Sequence, residues 1–548
     1  MGFHSDKIKI WSREELKEIT FDVETKENLT PELDNPENLE GNEINVEAWN
    51  LKTLGLYNEN NELIMTWDEL IELGLDIEKK YTSENYKTDP TSGYLVFKNN
   101  DLSGKLVIPD SITKIGDFVF RECKSLTAII IGNKVTTIGN NAFDNCSSLE
   151  SIDISDSVVE INFATFRNCE LITSIIIPHS VTKIGDYGFY KCGLKTLTLP
   201  DTLKTIGAYA FSNNDLKSVI IPNTFSKING SIFNNCQELT AIIALPNNPY
   251  YCTENGVLFS KNKQTLVTCP TGKLRSPYVI PDYVTTIGNN VFAGSKTITS
   301  VGLIGSGAYL EIPDSVTKID EGAFSSCAEL VTVELPDSIT NIGTGIFKDC
   351  GKLTSIILPK KITKIPIETF KWCTSLKSIK IPDSVTKIEQ NAFAFCRQIG
   401  TIGLYGSDAC LEIPNSVINI EQGAFNSCGA TTVVLPDSIT DISSYVFPGC
   451  TELTSIVLPN SLTGLYGNTF QNCKKLTSIT IPNSVKYINP NTFNNCTSLT
   501  SVTFKNTSGW YVTTTQNATS GTNVTVTNAS TNAKNLTNTY KSYYWYKK

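Results

Sequence analysis

The sequence predicts a mainly β repeat solenoid of about 15 coils, with small capping modules at its N- and C-terminal ends. A motif of the form I-P-D-S-V-T-K-I-G-x-x-A-F-x-x-C-x-x-L-T-S-I recurs from Ile108 onward in fifteen copies, most of them 23 residues apart. Each copy holds two short β-branched runs separated by turn residues, which is typical of short strands. Every copy also carries a phenylalanine at the same position. A chain of such units grows by stacking each unit on its neighbour.

The N-terminal part precedes the repeats. Residues 1–45 are polar and acidic and are predicted to form a flexible arm or linker. Residues 46–105 show a different pattern, with two predicted strands at Leu54–Tyr57 and Leu63–Met65 and a helix that Thr66 caps. A solenoid needs its first apolar surface covered, so we interpret this segment as an N-terminal capping module.

The solenoid itself is predicted over residues 106–504. Each repeat begins with a first strand, such as Leu126–Ile131. A proline follows this strand and ends it, except where Gly132 and Ser155 replace the proline. Proline cannot donate a hydrogen bond to a ladder. Turn residues follow, and a second short strand buries the valine and isoleucine of V-T-K-I. The next glycine permits a tight corner. The Ala-Phe-x-x-Cys segment is then predicted to form one helical or 3₁₀ turn that places the phenylalanine in the core.

Most of the cysteines belong to the repeat. Stacking places equivalent side chains about 4.8 Å apart and pointing the same way, which is poor disulfide geometry. We therefore predict a buried ladder of free thiols with a structural role. No C-x-x-C occurs, so no zinc site is expected, and no other cofactor is predicted. The thirteen ladder residues are Cys123, Cys146, Cys169, Cys192, Cys236, Cys327, Cys350, Cys373, Cys396, Cys428, Cys450, Cys473 and Cys496.

Three insertions interrupt the array. Residues 243–279 are predicted to form a hairpin, in which Cys252 and Cys269 either pair or stay free. The other two insertions match each other, Gly302–Ala308 against Gly403–Ala409, and belong to a four-repeat block that is duplicated after 101 residues. A duplication of this kind extends a surface and does not build a single active site.

After the last repeat the composition changes again. Residues 505–548 contain a Thr/Asn-rich run and the aromatic cluster Tyr540–Tyr546. The aromatic side chains are predicted to cap the final repeat. A carbohydrate-binding or wall-binding role for them is the alternative.

The repeat motif I-P-x-S-V-T-x-I-G-x-x-A-F-x-x-C-x-x-L-T-S-I resembles the BspA-like leucine-rich repeat, a type first associated with surface proteins of treponemes and oral bacteria. The resemblance covers residues 106–504. It implies a leucine-rich-repeat array, cell-surface adhesion, and binding of host matrix or neighbouring cells. A repeat fold by itself does not fix the partner.

Composition and motifs argue against several other functions. The net charge of -9 argues against nucleic acid, whose phosphates need a basic face. No apolar run approaches the roughly 18 residues of a membrane-spanning helix, so membrane insertion is not expected. The only histidines are His4 and His179, which leaves no Ser-His-Asp or Cys-His arrangement in prospect. We therefore expect no enzymatic activity.

Two functions remain open. In the first, the chain is a non-enzymatic adhesion protein, extracellular or at a cell surface, that presents its repeats to a protein or glycan on a host, matrix or neighbouring cell. In the second, it is a phage or virion appendage that binds a receptor or supports the particle. The resemblance favours the first. The absence of an apolar signal-peptide region after Met1 favours the second.

The candidate binding residues stand directly before the I-P or L-P of the repeat. This outward column is predicted to project from the longer strands, because its neighbours on both sides point inward. β-propensity on an otherwise unused face is the simpler explanation of an aliphatic strip on a solenoid sheet, and a partner site is the functional alternative. The candidates are Ile130, Ile176, Ile220, Val434 and Val457. Other members of the column are Asp153, Thr198, Glu334, Ile357, Lys380, Glu412, Thr480 and Thr503.

Overall fold

The structure is a computed structural model that describes residues 56–57, 86–88, 95–97, 103–108, 110, 112–228 and 230–548. The chain forms two compact units, one of residues 1–258 with 270–272 and one of residues 259–269 with 273–548. The predicted arm over residues 1–45, the predicted strand Leu63–Met65 and the predicted helix after Thr66 lie outside the described residues.

In the first unit each coil contributes one strand to a longer ladder and most coils add a two-residue strand to a shorter ladder, and the paired strands run parallel. The longer strands are Ser103–Ile108, Ser125–Ile131, Ser151–Asp153, Ser174–Ile176, Thr196–Thr198, Ser218–Ile221 and Ala241–Ala244. The shorter strands are Lys114–Ile115, Thr137–Ile138, Glu160–Ile161, Lys183–Ile184 and Thr205–Ile206.

Antiparallel pairs occur ahead of the first coil. The strand Leu56–Tyr57, inside the predicted strand 54–57, pairs with Lys114–Ile115. Tyr86–Thr88 pairs with Leu95–Phe97, a hairpin that the sequence did not predict. The described strands do not test the predicted cap, which stays a prediction.

The insertion over residues 243–279 contains the predicted hairpin. Strands Tyr251–Glu254 and Val257–Ser260 are neighbours in one sheet, joined by the turn Asn255–Gly256. Both turn residues have positive φ, of 49° and 80°, as the two-residue turns of hairpins require. The described 3₁₀ helices are Gly230–Phe233 and Thr271–Arg275.

In the second unit ten longer strands form one parallel sheet. In spatial order they are Tyr278–Val279, Leu310–Ile312, Ser300–Leu303, Thr332–Glu334, Ser355–Ile357, Ser378–Lys380, Leu411–Ile413, Thr401–Leu404, Thr432–Val434 and Ser455–Val457. Ser478–Ile481 and Ser501–Phe504 pair in parallel beside each other. The shorter strands are Thr265–Thr268, Thr286–Ile287, Lys318–Ile319, Asn341–Ile342, Lys364–Ile365, Lys387–Ile388, Asn419–Ile420, Asp441–Ile442, Gly464–Leu465 and Tyr487–Ile488.

The matched insertions each add a strand to this sheet. Ser300–Leu303 precedes Leu310–Ile312 in the chain but follows it in the sheet, and the two pair in parallel. Residues 304–309 make the connection, which is far shorter than a helical crossover. Thr401–Leu404 and Leu411–Ile413 repeat the arrangement. The sequence showed that the insertions match but did not show the extra strands.

The C-terminal segment is antiparallel. Tyr544–Lys547 pairs with Tyr487–Ile488 of the shorter ladder and with Trp510–Thr513, which also pairs with Thr522–Asn523. The α-helix Ala529–Lys534 continues into a π-helix, Asn535–Thr539. The Asn532 side chain donates to the backbone oxygen of Val502, 2.9 Å away, and so fastens this helix to the last longer strand. That residues 505–548 act as a cap stays a prediction.

The predicted fold class is confirmed in both units, which together contain about 17 turns of β-solenoid. The repeat phenylalanines stack in a column within each unit, with neighbouring ring centroids 5.2 to 6.0 Å apart. Every ring in the column is buried. The first unit holds Phe120, Phe143, Phe166, Phe189, Phe211 and Phe233, and the second holds Phe292, Phe324, Phe347, Phe370, Phe393, Phe425, Phe447, Phe470 and Phe493.

The predicted helical turn around the phenylalanine is wrong in almost every coil. The residue two positions after the phenylalanine has positive φ in all fifteen coils, for example Asn145 at 63°, and a left-handed residue interrupts a helix. The segment forms β-turns instead, as in the bond from the Cys146 amide to the Phe143 oxygen. Asparagine occupies many of these sites because it tolerates this conformation better than most residues.

The glycine after the second strand has a different role from the predicted one. Gly139 does not have positive φ, but a Cβ at this position would lie 2.4 Å from a backbone carbon of Gly116 in the preceding coil. Glycine is therefore needed for the close approach of successive coils, and not for the corner itself.

The predicted thiol ladder is present. None of the cysteines in residues 112–228 and 230–548 forms a disulfide bond, and the thirteen ladder residues are buried. Each thiol from the second coil of a unit onward donates to a backbone oxygen of the preceding coil. For example, Cys350 Sγ lies 3.1 Å from the Phe324 oxygen and Cys373 Sγ lies 3.1 Å from the Phe347 oxygen. Where asparagine replaces cysteine, Asn214 Nδ2 makes the same bond to the Phe189 oxygen at 2.9 Å.

Truncation of one stacked ring should loosen neighbouring coils first. Phe347 is fully buried, with Phe324 and Phe370 stacked 5.5 and 5.9 Å away. We expect Phe347→Ala to lower the free energy of unfolding by about 3–5 kcal/mol, because the ring leaves a cavity. Hydrogen exchange should rise around Phe324 and Phe370 before it rises in distant coils. Unchanged exchange there would contradict the stacked column, and Phe163→Ala, at a ring that is 43% exposed, is the control with a smaller loss.

Stability should fall at alkaline pH. Burial raises the pKa of Cys236, Cys327 and Cys428 to about 12, and raises the pKa of Cys373 well above the ordinary 9.0. Above pH 9 the unfolded chain therefore binds fewer protons than the folded chain, so the free energy of unfolding decreases as pH rises toward 12. Urea unfolding at a series of pH values measures this slope, to which each thiol adds up to about 1.4 kcal/mol per pH unit.

The variant Cys373→Ala separates the thiols from other titrating groups. Its free energy of unfolding should be lower than that of the natural chain at neutral pH. Above pH 9 its free energy of unfolding should fall less steeply, by up to about the 1.4 kcal/mol per pH unit that one thiol contributes. An identical slope in the variant and the natural chain would mean that this thiol ionises equally well in the folded state.

Candidate binding surface

The predicted outward column projects from the longer strands, as expected. Its neighbours on either side are buried, as in the strand Ser174–Ile176, where Ile175 is 7% exposed and Ile176 is 84% exposed. Ile220 is 52% exposed and Val457 is 55% exposed. The remaining two candidates, Ile130 and Val434, are half-buried.

In the first unit the apolar groups do not form the continuous strip that the sequence suggested. Ile130 pairs across the ladder with Asp153, and Ile176 pairs with Thr198, so polar residues separate the aliphatic ones. Ile220 has an aliphatic partner, Ile243, which does not stand directly before an I-P or L-P because the proline of its coil, Pro246, comes one position later. Ile130 pairs with Val107 on its other side, so the first unit presents two adjacent aliphatic pairs, Val107–Ile130 and Ile220–Ile243, and a separate Ile176.

The second unit shows the same column with further exposed members. Val434 pairs directly with Val457. Ile357, at 60%, and Val279, at 52%, are more exposed than several of the candidates. Ile357 stands directly before an L-P and Val279 directly before an I-P, so the sequence pattern could have placed both in the candidate set.

Glu412 was predicted to project outward with this column, and that prediction is wrong. It is 1% exposed, because the loop 405–410 folds over the outer face of the sheet and covers it. A Cβ on Gly403, the residue paired with Glu412, would lie 2.6 Å from Ser407 Oγ and 2.9 Å from Ala409 Cβ. Glycine therefore leaves the space into which the loop packs.

The matching loop 304–309 packs in the same way. A Cβ on Gly302 would lie 2.5 Å from Ser306 Oγ and 2.9 Å from Ala308 Cβ. The carboxylate of Glu311 accepts from the Gly305 and Gly307 amides at 3.0 and 2.8 Å. Each loop is thus held down by contacts to the outward column.

Lysine joins the contacts of the second loop. Glu412 accepts from the Gly406 amide at 3.1 Å and pairs with Lys380, whose Nζ lies 3.4 Å from the carboxylate. The Lys380 Nζ also lies 5.9 Å from the centre of the Tyr405 ring, which is 54% exposed. The amide and ammonium partners of the Glu412 carboxylate offset the free-energy cost of burying its charge.

Most of the lysine charge on the shorter ladder is already paired. Four of the five lysines in its described strands lie next to carboxylates of the same or a neighbouring coil, so they offer less attraction to an anionic ligand than isolated lysines would. The pairs are Lys183 with Glu160, Lys318 with Asp320, Lys364 with Glu389 and Lys387 with Glu421. The longer ladder is therefore the better candidate for a binding face.

An exposed aromatic stack was missed by the sequence reasoning. Trp372 and Phe395 stack with centroids 3.9 Å apart and rings 1° from parallel, and the Arg397 guanidinium lies 5.9 Å from the Trp372 ring centre. Both aromatic residues occupy the left-handed turn position that follows the core phenylalanine. The repeat register could have placed them side by side, since each stands two residues after that phenylalanine.

Neither a metal-binding cluster nor a membrane-spanning helix occurs in the described part of the chain. No group of three or more His, Cys, Asp or Glu side chains there is arranged to hold a metal ion. Among the described residues, no helix has both the length and the apolar character needed to span a membrane.

Comparison with known proteins gives one family. A model of the BspA type leucine rich repeat region matches residues 93–214, 159–276, 305–415 and 409–517, which together make up more than half of the chain. No curated protein matches the sequence.

Solved structures of bacterial repeat proteins are also similar. A leucine-rich repeat protein from Eubacterium ventriosum is 22% identical, with 73% of this chain and 84% of that chain covered and a TM-score of 0.40. A leucine rich cell surface protein from Faecalibacterium prausnitzii is 29% identical, with 68% and 85% covered and a TM-score of 0.40. A leucine-rich repeat protein from Bacteroides ovatus is 24% identical, with 77% and 98% covered and a TM-score of 0.35.

The packing of the loops on the sheet can be tested at one glycine. We expect Gly403→Ala to push the loop 405–410 away from the sheet and to raise hydrogen exchange at the Gly406 amide. Overpacking of this kind costs about 1–3 kcal/mol. Gly400→Ala is the matched control, because a Cβ there would meet only Cys410 Sγ, at 3.8 Å. Equal exchange at Gly406 in both variants would show that the loop does not depend on this contact.

Proposed function

This chain belongs to the BspA type leucine rich repeat family, and from that premise we propose that it is a non-enzymatic adhesion protein of a cell surface. In this proposal the outer face of its longer strands binds a protein on a host, matrix or neighbouring cell. Repeat proteins of this build commonly use an extended surface of stacked units, and not a pocket, for binding.

The observation that carries the proposal is the exposed aliphatic column on the longer ladder. Ile176, Ile220 and Val457 expose half or more of their surface to solvent. Covering one such side chain completely contributes about 1.5–3 kcal/mol to association. Two such side chains within one unit supply about 3–6 kcal/mol, which contributes to a specific contact if a partner matches their spacing.

The chemistry of the remaining groups supports binding over catalysis. His179 Nδ1 lies 3.1 Å from Asp201 Oδ1, and the two side chains are 81% and 80% exposed. An ion pair that is this exposed has the character of a surface contact. Thiols such as Cys373 and Cys350 are poor nucleophiles, because burial raises their pKa and the thiolate is the reactive form. Side-chain hydrogen bonds with Cys123 and Cys169 lower the pKa of Cys146 to about 5, but that side chain is fully buried.

The same property makes the thiol ladder compatible with a location outside the cell. Oxidation of cysteine proceeds through the accessible thiolate. The ladder thiols are buried, and burial keeps residues such as Cys373 and Cys450 protonated by raising their pKa. An extracellular protein of this kind keeps its thiols without disulfide bonds.

Adhesion should depend on the outward column. We expect the double variant Ile176→Ser/Ile220→Ser, or Val434→Ser/Val457→Ser, to weaken adhesion to matrix-coated surfaces or intact cells by about tenfold or more. Thermal stability should stay close to that of the natural chain for the first pair, because both side chains are already exposed. Ile130 is left in place because it is half-buried.

The control is Val159→Ser/Leu171→Ser, which removes exposed aliphatic groups away from the column, at 44% and 49% exposure. Adhesion that persists in both column variants with the fold intact would reject the outer face as the binding site. Equal loss in the control would mean that general surface hydrophobicity is responsible.

A further inference from the structure

The two matched loops enclose a trough on the outer face of the second unit's long sheet. Loop 304–309 covers the strands Ser300–Leu303 and Leu310–Ile312, and loop 405–410 covers Thr401–Leu404 and Leu411–Ile413. Three strands lie between these ridges in the sheet order and carry no covering loop. They are Thr332–Glu334, Ser355–Ile357 and Ser378–Lys380.

The ridges are far enough apart to admit a polypeptide segment. Four strand intervals separate Ser300–Leu303 from Leu411–Ile413 in the sheet, which is about 19 Å. An α-helix with its side chains is about 10–12 Å across, and an extended segment is thinner. The ridges also carry exposed apolar groups, Ile304 at 53% on one and Tyr405 at 54% on the other. The walls therefore offer apolar contacts on both sides of an inserted segment.

The floor combines an apolar anchor with hydroxyl groups. Ile357 is 60% exposed at the centre of the floor and pairs across the ladder with Glu334. The adjacent outward row consists of Thr332, Ser355 and Ser378, which lie opposite one another in register. Because these hydroxyl side chains are small, the Ile357 side chain projects beyond them and is the main apolar contact on the floor.

The charge that the trough offers to a partner is negative. Glu334 is half-exposed and has no ion-pair partner among the described residues. The Lys380 ammonium is already engaged by Glu412. Asp408, at the tip of the second ridge, is exposed and likewise lies outside every ion pair in the described part of the chain. A positively charged group therefore has two carboxylates to meet, while the exposed Lys377 lies one residue before Ser378, on the floor strand farthest from Glu334.

We propose that this trough binds a basic segment of a partner protein, in which an aliphatic or aromatic side chain covers Ile357 while a neighbouring lysine or arginine pairs with Glu334. The duplication that produced two matched ridges explains why the site exists in this part of the array and not in every coil. This proposal rests on the proposed binding function, since it names the partner chemistry of one part of the same outer face.

The test uses the full chain and a labelled amphipathic helical peptide built from lysine, leucine and alanine, followed by fluorescence anisotropy. Binding should weaken by about tenfold in Ile357→Ser, because the anchor loses its apolar cover. Glu334→Gln should weaken binding and flatten its salt dependence. A peptide with glutamate in place of lysine should bind at least about tenfold more weakly.

Two variants serve as matched controls. Ile418→Ser removes an isoleucine of equal exposure, 61%, that lies next to a strand of the shorter ladder. Glu452→Gln removes one negative charge at a residue whose side chain is paired with Lys475 in another coil. Both should keep the affinity of the natural chain within about twofold. Circular dichroism and thermal unfolding check that every variant folds.

Several results would overturn the proposal. These are no binding of the basic peptide, equal binding of the glutamate peptide, or equal losses in the trough variants and their controls. Binding of a neutral oligosaccharide that Ile357→Ser abolishes, with peptide binding unchanged, would reassign the trough to glycans.

Adhesion measured in parallel keeps the two proposals apart. If the trough variants bind the peptide normally while the Ile176/Ile220 variant loses adhesion, the trough proposal fails and the binding function stands. If peptide binding depends on Ile357 and Glu334 while no outward-column variant affects adhesion, the peptide site stands and the adhesive function fails.

Discussion

Successive coils lie one strand spacing apart, about 4.8 Å, and the rest of the structure depends on this constraint. Because parallel strands pair in register, each residue of a coil lies against the same position of the next coil. A residue type is therefore acceptable at a position only if it packs against its own copy. Phenylalanine meets this requirement by stacking, as Phe347 does between Phe324 and Phe370. The exposed outward column is free of this requirement, since Ile130 pairs there with Asp153 and Ile176 with Thr198.

The buried turn next to the phenylalanine adds a second requirement. Its backbone oxygens point into the core, where an unpaired carbonyl costs free energy. The cysteine thiol is small enough to stack and still donates to the phenylalanine oxygen of the preceding coil, as Cys350 does to Phe324. Asn214 makes the equivalent bond through its amide. The thiols therefore belong to the support of the fold, and function has to lie on the outer faces.

On those faces, regular coils offer only columns of side chains, and interruptions create distinct shapes. The insertions after Ser300–Leu303 and Thr401–Leu404 add a strand and a loop each, and the loops rise as two ridges over the sheet. Carboxylates that would otherwise project to solvent, Glu311 and Glu412, hold the ridges in place. A surface that starts as a uniform ladder thereby gains walls and a floor.

The sequence alone determined the coils, the stacked phenylalanines, the thiol ladder and the outward position of Ile176 and Ile220, because a fixed period places equivalent residues in contact whatever the details. Only the tertiary structure decided what covers that face. Whether Glu412 is exposed or buried depends on the path of a loop over Gly403. Whether Ile357 lies in a trough depends also on loop 304–309, which follows a strand two positions away in the sheet. The residues in such contacts are not separated by the repeat period. The repeat pattern of the sequence therefore does not predict these contacts. The left-handed turns differ again, since asparagine at these sites is also common in ordinary turns and becomes specific only through the bonds between coils.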